Sequence, residues 1–294
     1  MIIRLLACCA VLIAFTNHAS TATTGVPPDM VMIPAGEFLM GSPDDGLSYD
    51  DERPQRLVYV ASFSIDRYEV TNTQYKQFVD STGHPPPSHL TPQFNLWHQL
   101  APLPGSEQHP VVNVSWHDAV SYCRWQEKRL PTEAEWEKAA RGTGAYRYPW
   151  GMDWDIFTAN SASYWARRTI EFKDGDAWKA FWVTGDGARL SRAHGLNGEV
   201  LTLPIGSFPK GASPYGVLDM TGNAAEWVQD WYEPYSYLNA PLSDPQGPQG
   251  QLLKVVRGGS WLKPARNIRV TDRDYAMPTD RATGIGFRCA KDVF

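Results

Sequence analysis

Apolar residues recur at helical spacing behind a polar start signal in three places along this chain. Thr71 with Gln74 precedes Tyr75, Phe78 and Val79, and Gly83 stands where such a helix would stop. Ser115 with Asp118 precedes Ala119, Tyr122 and Cys123, and Thr132 with Glu135 precedes Trp136, Ala139 and Ala140 ahead of Gly142. The spacing therefore predicts three capped helices and puts Cys123 on a buried face. Short apolar runs bounded by Gly, Pro or Asp predict strands over 30–33, 37–40, 57–60, 253–257 and 286–290. Two stretches carry neither period. Residues 84–110 are rich in Pro and 150–198 are long and mixed, and both read as ordered surface excursions rather than linkers.

Composition changes this picture in one respect. Gly 24, Pro 23 and Trp 12 in 294 residues, with 12% aromatics, point to a loop-rich fold with ample core material. No repeat or break in composition divides the chain, so one domain over 23–294 is expected. Arg4, an apolar run over 5–15 and the small residues Ser20, Thr21 and Ala22 form an export signal over 1–22. Asn17 and His18 interrupt that run short of the ~18 apolar residues a membrane span needs, and nothing later in the chain is long enough. A periplasmic or secreted protein without a transmembrane segment is expected. A lipoprotein site at Cys8 is the minority alternative. The formal charge of −5, with no basic patch, argues against nucleic acid.

Loss of the signal would remove Cys8 and Cys9 and leave Cys123 and Cys289. An isolated pair in an oxidising compartment reads as one disulfide, although two buried thiols are the alternative. The loop would enclose more than half of the mature chain, for which the chain-entropy model gives roughly 4 to 5 kcal/mol.

Six phrases then follow in order. They are Met32-Ile33-Pro34-Ala35-Gly36, Tyr68-Glu69-Val70-Thr71-Asn72, Pro110-Val111-Val112-Asn113-Val114-Ser115-Trp116, Arg129-Leu130-Pro131-Thr132-Glu133-Ala134-Glu135-Trp136-Glu137, Gly222-Asn223-Ala224-Ala225-Glu226-Trp227 and Arg257-Gly258-Gly259-Ser260-Trp261 through Gly286-Phe287-Arg288-Cys289. Together they resemble the formylglycine-generating enzyme (sulfatase-modifying factor) family, and in particular its exported, PvdO-like branch. The resemblance implies an α+β fold related to C-type lectins, low in regular secondary structure, and it supports pairing of Cys123 with Cys289.

The same resemblance argues against the family's best-known reaction. In its oxidases two cysteines after the Gly-Gly-Ser motif bind copper(I) and oxidise a substrate cysteine to formylglycine. Here those positions fall at Lys263 and Ile268, and neither an ammonium nor a butyl group replaces a soft thiolate. Ser260 matches a serine beside the family's active site, but the catalytic residues are otherwise unassigned. Copper is not expected.

Calcium is. By spacing alone, Asp219 and Glu226 around Gly222 read as a turn with solvated acids. By resemblance, they bind structural calcium through side chains, with Gly222 and Ala224 giving carbonyls. A second family site maps to the side chains of Asn160 and Asn197 and the carbonyls of Ser161 and Glu199. An asparagine at 197, where the family has aspartate, removes a charge and should weaken it. The histidines are too scattered for a metal centre, and the acidic run over 44–52 reads as a solvated loop. Arg266, Arg269 and Arg273 beside Lys263 would suit an acidic ligand or peptide, against a reading in which they pair internally. The expected function is a maturation factor acting on a periplasmic protein, peptide or small-molecule substrate, oxidising it without the copper–thiolate pair. A non-catalytic lectin-like binding or accessory module is the alternative, and a copper-dependent formylglycine-generating oxidase is a third.

Overall fold

The three helices with start signals form where the spacing puts them. The computed structural model describes residues 29–293, so the export signal over 1–22, with Cys8 and Cys9, lies outside the described residues. In chain order the elements are β1 (Met30–Ile33), β2 (Gly36–Met40), β3 (Arg56–Val60), β4 (Phe63–Asp66), α1 (Asn72–Thr82), β5 (Trp97–His98), β6 (Ala101–Pro102), α2 (Trp116–Trp125), α3 (Glu133–Arg141), α4 (Ala162–Ala166), α5 (Gly175–Val183), α6 (Asp186–His194), β7 (Ala225–Trp231), α7 (Ser236–Asn239), β8 (Lys254–Arg257), β9 (Arg273–Ala276), β10 (Ile285–Gly286) and β11 (Ala290–Asp292). Each of α1, α2 and α3 begins with a reciprocal capping box, at Thr71, Ser115 and Thr132. The two backbone donors that such a box satisfies would otherwise be left without partners. Gly83 ends α1 in the left-handed region at φ 71°, which only glycine adopts without strain.

Two larger sheets organise the rest, beside the two-stranded β2–β3 and β5–β6 pairs. β4 lies between β1 and β11 in an antiparallel trio, and the second sheet runs β10-β7-β8-β9, with β10 parallel to β7 and the other pairs antiparallel. Both faces of β7 and β8 are covered. Trp227 and Val256 pack into one core with Tyr75, Tyr122 and Phe287, under α1 and α2. Val228 and Val255 face a second core, with Trp136, Val58 and Ile65, under α3.

The strand expected over 286–290 is two strands. β10 pairs with β7 and β11 with β4. Between them the carbonyls of Phe287 and Cys289 accept the N–H groups of Val70 and Asp66. The chain crosses from one sheet to the other there, and Cys289, at the crossing, is joined to Cys123 of α2 with 5.7 Å between Cα atoms. The 150–198 excursion holds three helices. None of the residues of α5 is buried.

The interior carries charge as well as oil. Arg257 pairs with Glu137 and Arg288 with Glu226, both at 2.6 Å and essentially without solvent contact. Lys138 Nζ instead donates to the carbonyls of Pro34, Gly36 and Val60. Charges survive burial only when partners replace the lost water.

Asp230 is the least compensated of these groups. Its Oδ2 accepts the Glu133 N–H at 2.8 Å, and burial, followed by the charge of Glu133, pushes its pKa up to about 8. Nearby, Lys254 lies between the rings of Trp116 and Trp231, and burial pushes its pKa down to about 8. Since an unfolded Asp titrates near about 3.9, the folded chain holds a proton on Asp230 that the unfolded chain has lost. This group's contribution to stability therefore falls as pH rises from about 4 to about 8. Asp230→Asn is expected to raise the melting temperature by roughly 5 °C at pH 8.5 and by much less at pH 4.5. Calorimetry at the two pH values checks it, and an equal gain at both would contradict the assignment.

Candidate functional site

β8 ends at Arg257, whose guanidinium donates to the carbonyls of Val270 and Thr271 and so anchors the segment returning after the Gly-Gly-Ser motif. Gly259 has φ 63°, and a Cβ there would stand 2.3 Å from the Asn267 carbonyl oxygen. No other residue fits, which fixes the tight loop behind Ser260. That serine is 3% exposed, and its carbonyl accepts the Lys263 N–H at 2.9 Å. Two indole N–H groups of α5, from Trp178 and Trp182, donate to the Leu262 carbonyl at 3.1 and 3.0 Å. The loop is covered from that side.

Lys263 and Ile268 have different environments. Lys263 Nζ lies 2.7 Å from Asp274 Oδ2. Burial would lower its pKa, but the charge of Asp274 raises it on balance, so the ammonium form is favoured. Ile268 is fully buried against Tyr148 and Ala159. Among the described residues both cysteines are in the disulfide, so neither position has a free thiol within reach.

The Asp219 to Glu226 segment is buried, contrary to the spacing-based reading of solvated acids. Asp219 is 7% and Glu226 1% exposed. Gly222, at φ 81°, lets the backbone pass the Asn160 carbonyl, which a Cβ would approach to 2.3 Å. Glu226 Oε2 accepts from Trp136 Nε1 and Arg288 Nε, and Oε1 accepts from Arg288 Nη2. Asp219 Oδ2 accepts the Gly206 N–H.

A third acid, which the sequence reading did not single out, completes the cluster. Glu69 accepts from Ala224 N–H and Asn223 Nδ2, and it belongs to the Tyr68 to Asn72 phrase already noted. Burial first, then the charges of Asp219 and Glu226, raises the Glu69 pKa well above normal, and burial lifts Asp219 to about 6. Three carboxylates thus face one guanidinium.

Asn160 and Asn197 are not brought to common partners. Asn160 is buried, donates to Leu201 and Asn223, and accepts from Trp165 Nε1. Asn197 is exposed and donates to the carbonyls of Gln93 and Asn95. Ser161 caps α4, and its carbonyl accepts the Trp165 N–H. Glu199 lies in the following turn, where its N–H donates to Leu196.

The arginines require a correction. Arg269 is engaged by both oxygens of Glu52, and Arg273 by both oxygens of Glu133. Neither offers an open fork to an acidic ligand, because the acids that neutralise them are themselves buried. Arg266 donates to the Leu47 carbonyl and lies over the Tyr49 ring. The same pairing corrects the acidic run, since Glu52 is fully buried rather than solvated. Among the histidines, His84 meets Asp118 and His109 meets Thr202, both as hydrogen-bonding groups. A cavity of about 450 Å³ opens beside Arg124, Arg129, Gln229 and Asp244, and it shares no residue with the Gly-Gly-Ser loop.

These phrases and their geometry match a known architecture. Residues 16–293 match the Sulfatase-modifying factor enzyme 1-like domain. The chain belongs to this family. It is 35% identical over 305 residues to the formylglycine-generating enzyme of Thermomonospora curvata, spanning 90% of this chain and 93% of that one. It is 34% identical to the inactive C-alpha-formylglycine-generating enzyme 2 of Mus musculus, over 90% and 86% of the two chains. The structure of PvdO from Pseudomonas aeruginosa superposes with a TM-score of 0.65 at 29% identity, over 90% of this chain and 94% of that one. The family's mixed helix-and-sheet fold is therefore the fold of this protein. No helix among the described residues is long and apolar enough to cross a membrane.

Proposed function

We propose that this family member is exported and acts on a periplasmic protein, peptide or small-molecule substrate, oxidising it by a route other than a copper–thiolate centre. One observation supports this most directly. Where the family's oxidases carry two thiols, Lys263 is engaged by Asp274 and Ile268 is buried in a small core. Copper(I) prefers soft sulfur donors, and these side chains have none. A second reading, a non-catalytic binding module, draws support from the cover over Ser260, which leaves that residue 3% exposed.

The readings separate in one set of measurements on the purified mature chain. Copper titration with metal analysis is expected to leave no bound copper, and a cysteine-containing sulfatase peptide is expected to keep its mass. Stoichiometric copper or an aldehyde product would overturn the proposal. Substrate-dependent oxygen consumption supports the oxidase reading. A tight partner without turnover supports the binding module. Export predicts a mature N-terminus near Thr23.

Calcium is part of the same proposal. Among the described residues no three His, Cys, Asp or Glu side chains converge as a metal centre, so a cation near Asp219 would draw on carbonyls as well. The donors fit a hard cation. Each carboxylate has about four lone-pair sites, Glu226 Oε1 accepts one hydrogen bond, and burial together with the like charges of the neighbouring acids holds the Glu69 and Asp219 pKa values up, a cost that a bound cation would relieve. Asp219 and Glu226, with the carbonyls of Gly222 and Ala224, would hold the ion, and its charge would offset their repulsion. The Asn160, Ser161, Asn197 and Glu199 set supplies only amide and carbonyl oxygens and should bind more weakly. Chelation is expected to lower the melting temperature by roughly 5 °C or more at calcium levels near a hundred times Kd. Asp219→Ala should abolish that difference, and a melting temperature indifferent to chelator would rule the site out.

A further inference from the structure

A pocket of about 170 Å³ is lined by residues that include Asp45, Gln55, Arg141, Arg147, Met152 and Arg269. Two of its arginines differ from the paired ones described above. Arg141 is 2% exposed, and its Nη1 donates to the Gly41 carbonyl and to Glu137, both at 2.9 Å. Its Nε is buried without a partner, and among the described residues its Nη2 donates to none. Arg147 meets Asp45 only at 3.8 Å, beyond hydrogen-bond range. The carbonyl of Arg147 accepts the Val270 N–H at 2.9 Å, so this residue is fixed beside the segment that follows Ile268.

We propose that this pocket binds a carboxylate carried by the protein's ligand, with Arg147 and Arg141 as the donors. Planar guanidinium groups match a carboxylate fork, and the donors left for a ligand are Arg141 Nη2, which has no protein acceptor among the described residues, and the Arg147 guanidinium; Arg141 Nε is itself shielded from the pocket. Glu137 already offsets Arg141 in part, and Asp45 is the one acid in the lining. Burial raises the pKa of Asp45, but the N–H groups of Leu47 and Ser48 and the charges of Arg147 and Arg269 lower it on balance, so it is ionised. The remaining positive charge suits one monoanion better than a dianion. Ala145 and Met152 give an apolar wall for the carbon stem behind the carboxylate. The assignment does not depend on whether the family site oxidises anything.

The test uses the mature full chain with acetate, inorganic phosphate and chloride as probes, followed through the arginine Nε–H signals in NMR. Acetate is expected to shift the Arg141 and Arg147 signals saturably, and chloride is not. Arg147→Ala, at a third-exposed side chain, should weaken acetate binding roughly tenfold while the melting temperature stays unchanged. Asp45→Asn should strengthen it several-fold by removing the competing anion. A peptide with a free terminal carboxylate should bind and its amidated twin should not. Tighter binding of phosphate than acetate, unchanged affinity in Arg147→Ala, weaker binding in Asp45→Asn, or equal binding of both peptides would each overturn the assignment.

Discussion

Arg288→Met is expected to lower the melting temperature by roughly 10 °C or more, corresponding to about 3 to 5 kcal/mol for a chain of this size. Arg288 donates through Nε and Nη2 to Glu226, and through its two Nη groups to the carbonyls of Asp66, Arg67 and Leu218. Its removal leaves Glu69, Asp219 and Glu226 buried together with no counter-charge. The cost is mainly the stranded acids, not the lost contact, so Glu226→Gln in the same chain should restore part of the stability. Thermal denaturation of the two single variants and the double variant decides this. Strictly additive losses would mean that Arg288 acts through packing alone.

Removing the disulfide should have a comparable effect. The Cys123 to Cys289 link spans 166 residues, and the chain-entropy model assigns such a loop roughly 4 to 5 kcal/mol. Paired Cys123→Ala and Cys289→Ala substitutions are expected to lower the unfolding free energy by that amount, read from the downward shift of the denaturant midpoint at unchanged m. Reductant should then have little further effect on the variant while destabilising the parent chain. A loss of unfolding free energy below about 1 kcal/mol would mean that the unfolded chain is already constrained.

What the sequence revealed and what it hid follow from the range of the interactions. The capping boxes at Thr71, Ser115 and Thr132 are local, involving residues three apart, and α1 to α3 could be read directly. β7 could not. Its run Ala225 to Trp231 includes Glu226 and Asp230, both buried, and so lacks the alternation of a half-exposed strand. Glu226 is tolerated there because Arg288 arrives from 62 residues away, a pairing no local pattern encodes. Glu52 with Arg269 and Glu133 with Arg273 are hidden for the same reason. At the site, the family phrases located the Gly-Gly-Ser loop and the Asp219 segment. They did not show that Glu69 joins the latter or that Trp178 and Trp182 cover the former. The open donors of Arg141 and Arg147 depend on which acids reach which arginines, and that appears only in three dimensions.

The placement of β4 between β1 and β11 has a bearing on biosynthesis. One neighbour of β4 precedes it closely in the chain, and the other follows only after all the other described elements. A nascent chain can therefore form the β1–β4 pair but exposes the opposite edge of β4 until β11 emerges. Any product that stops before β11 would keep that edge unpaired and would stick to other chains.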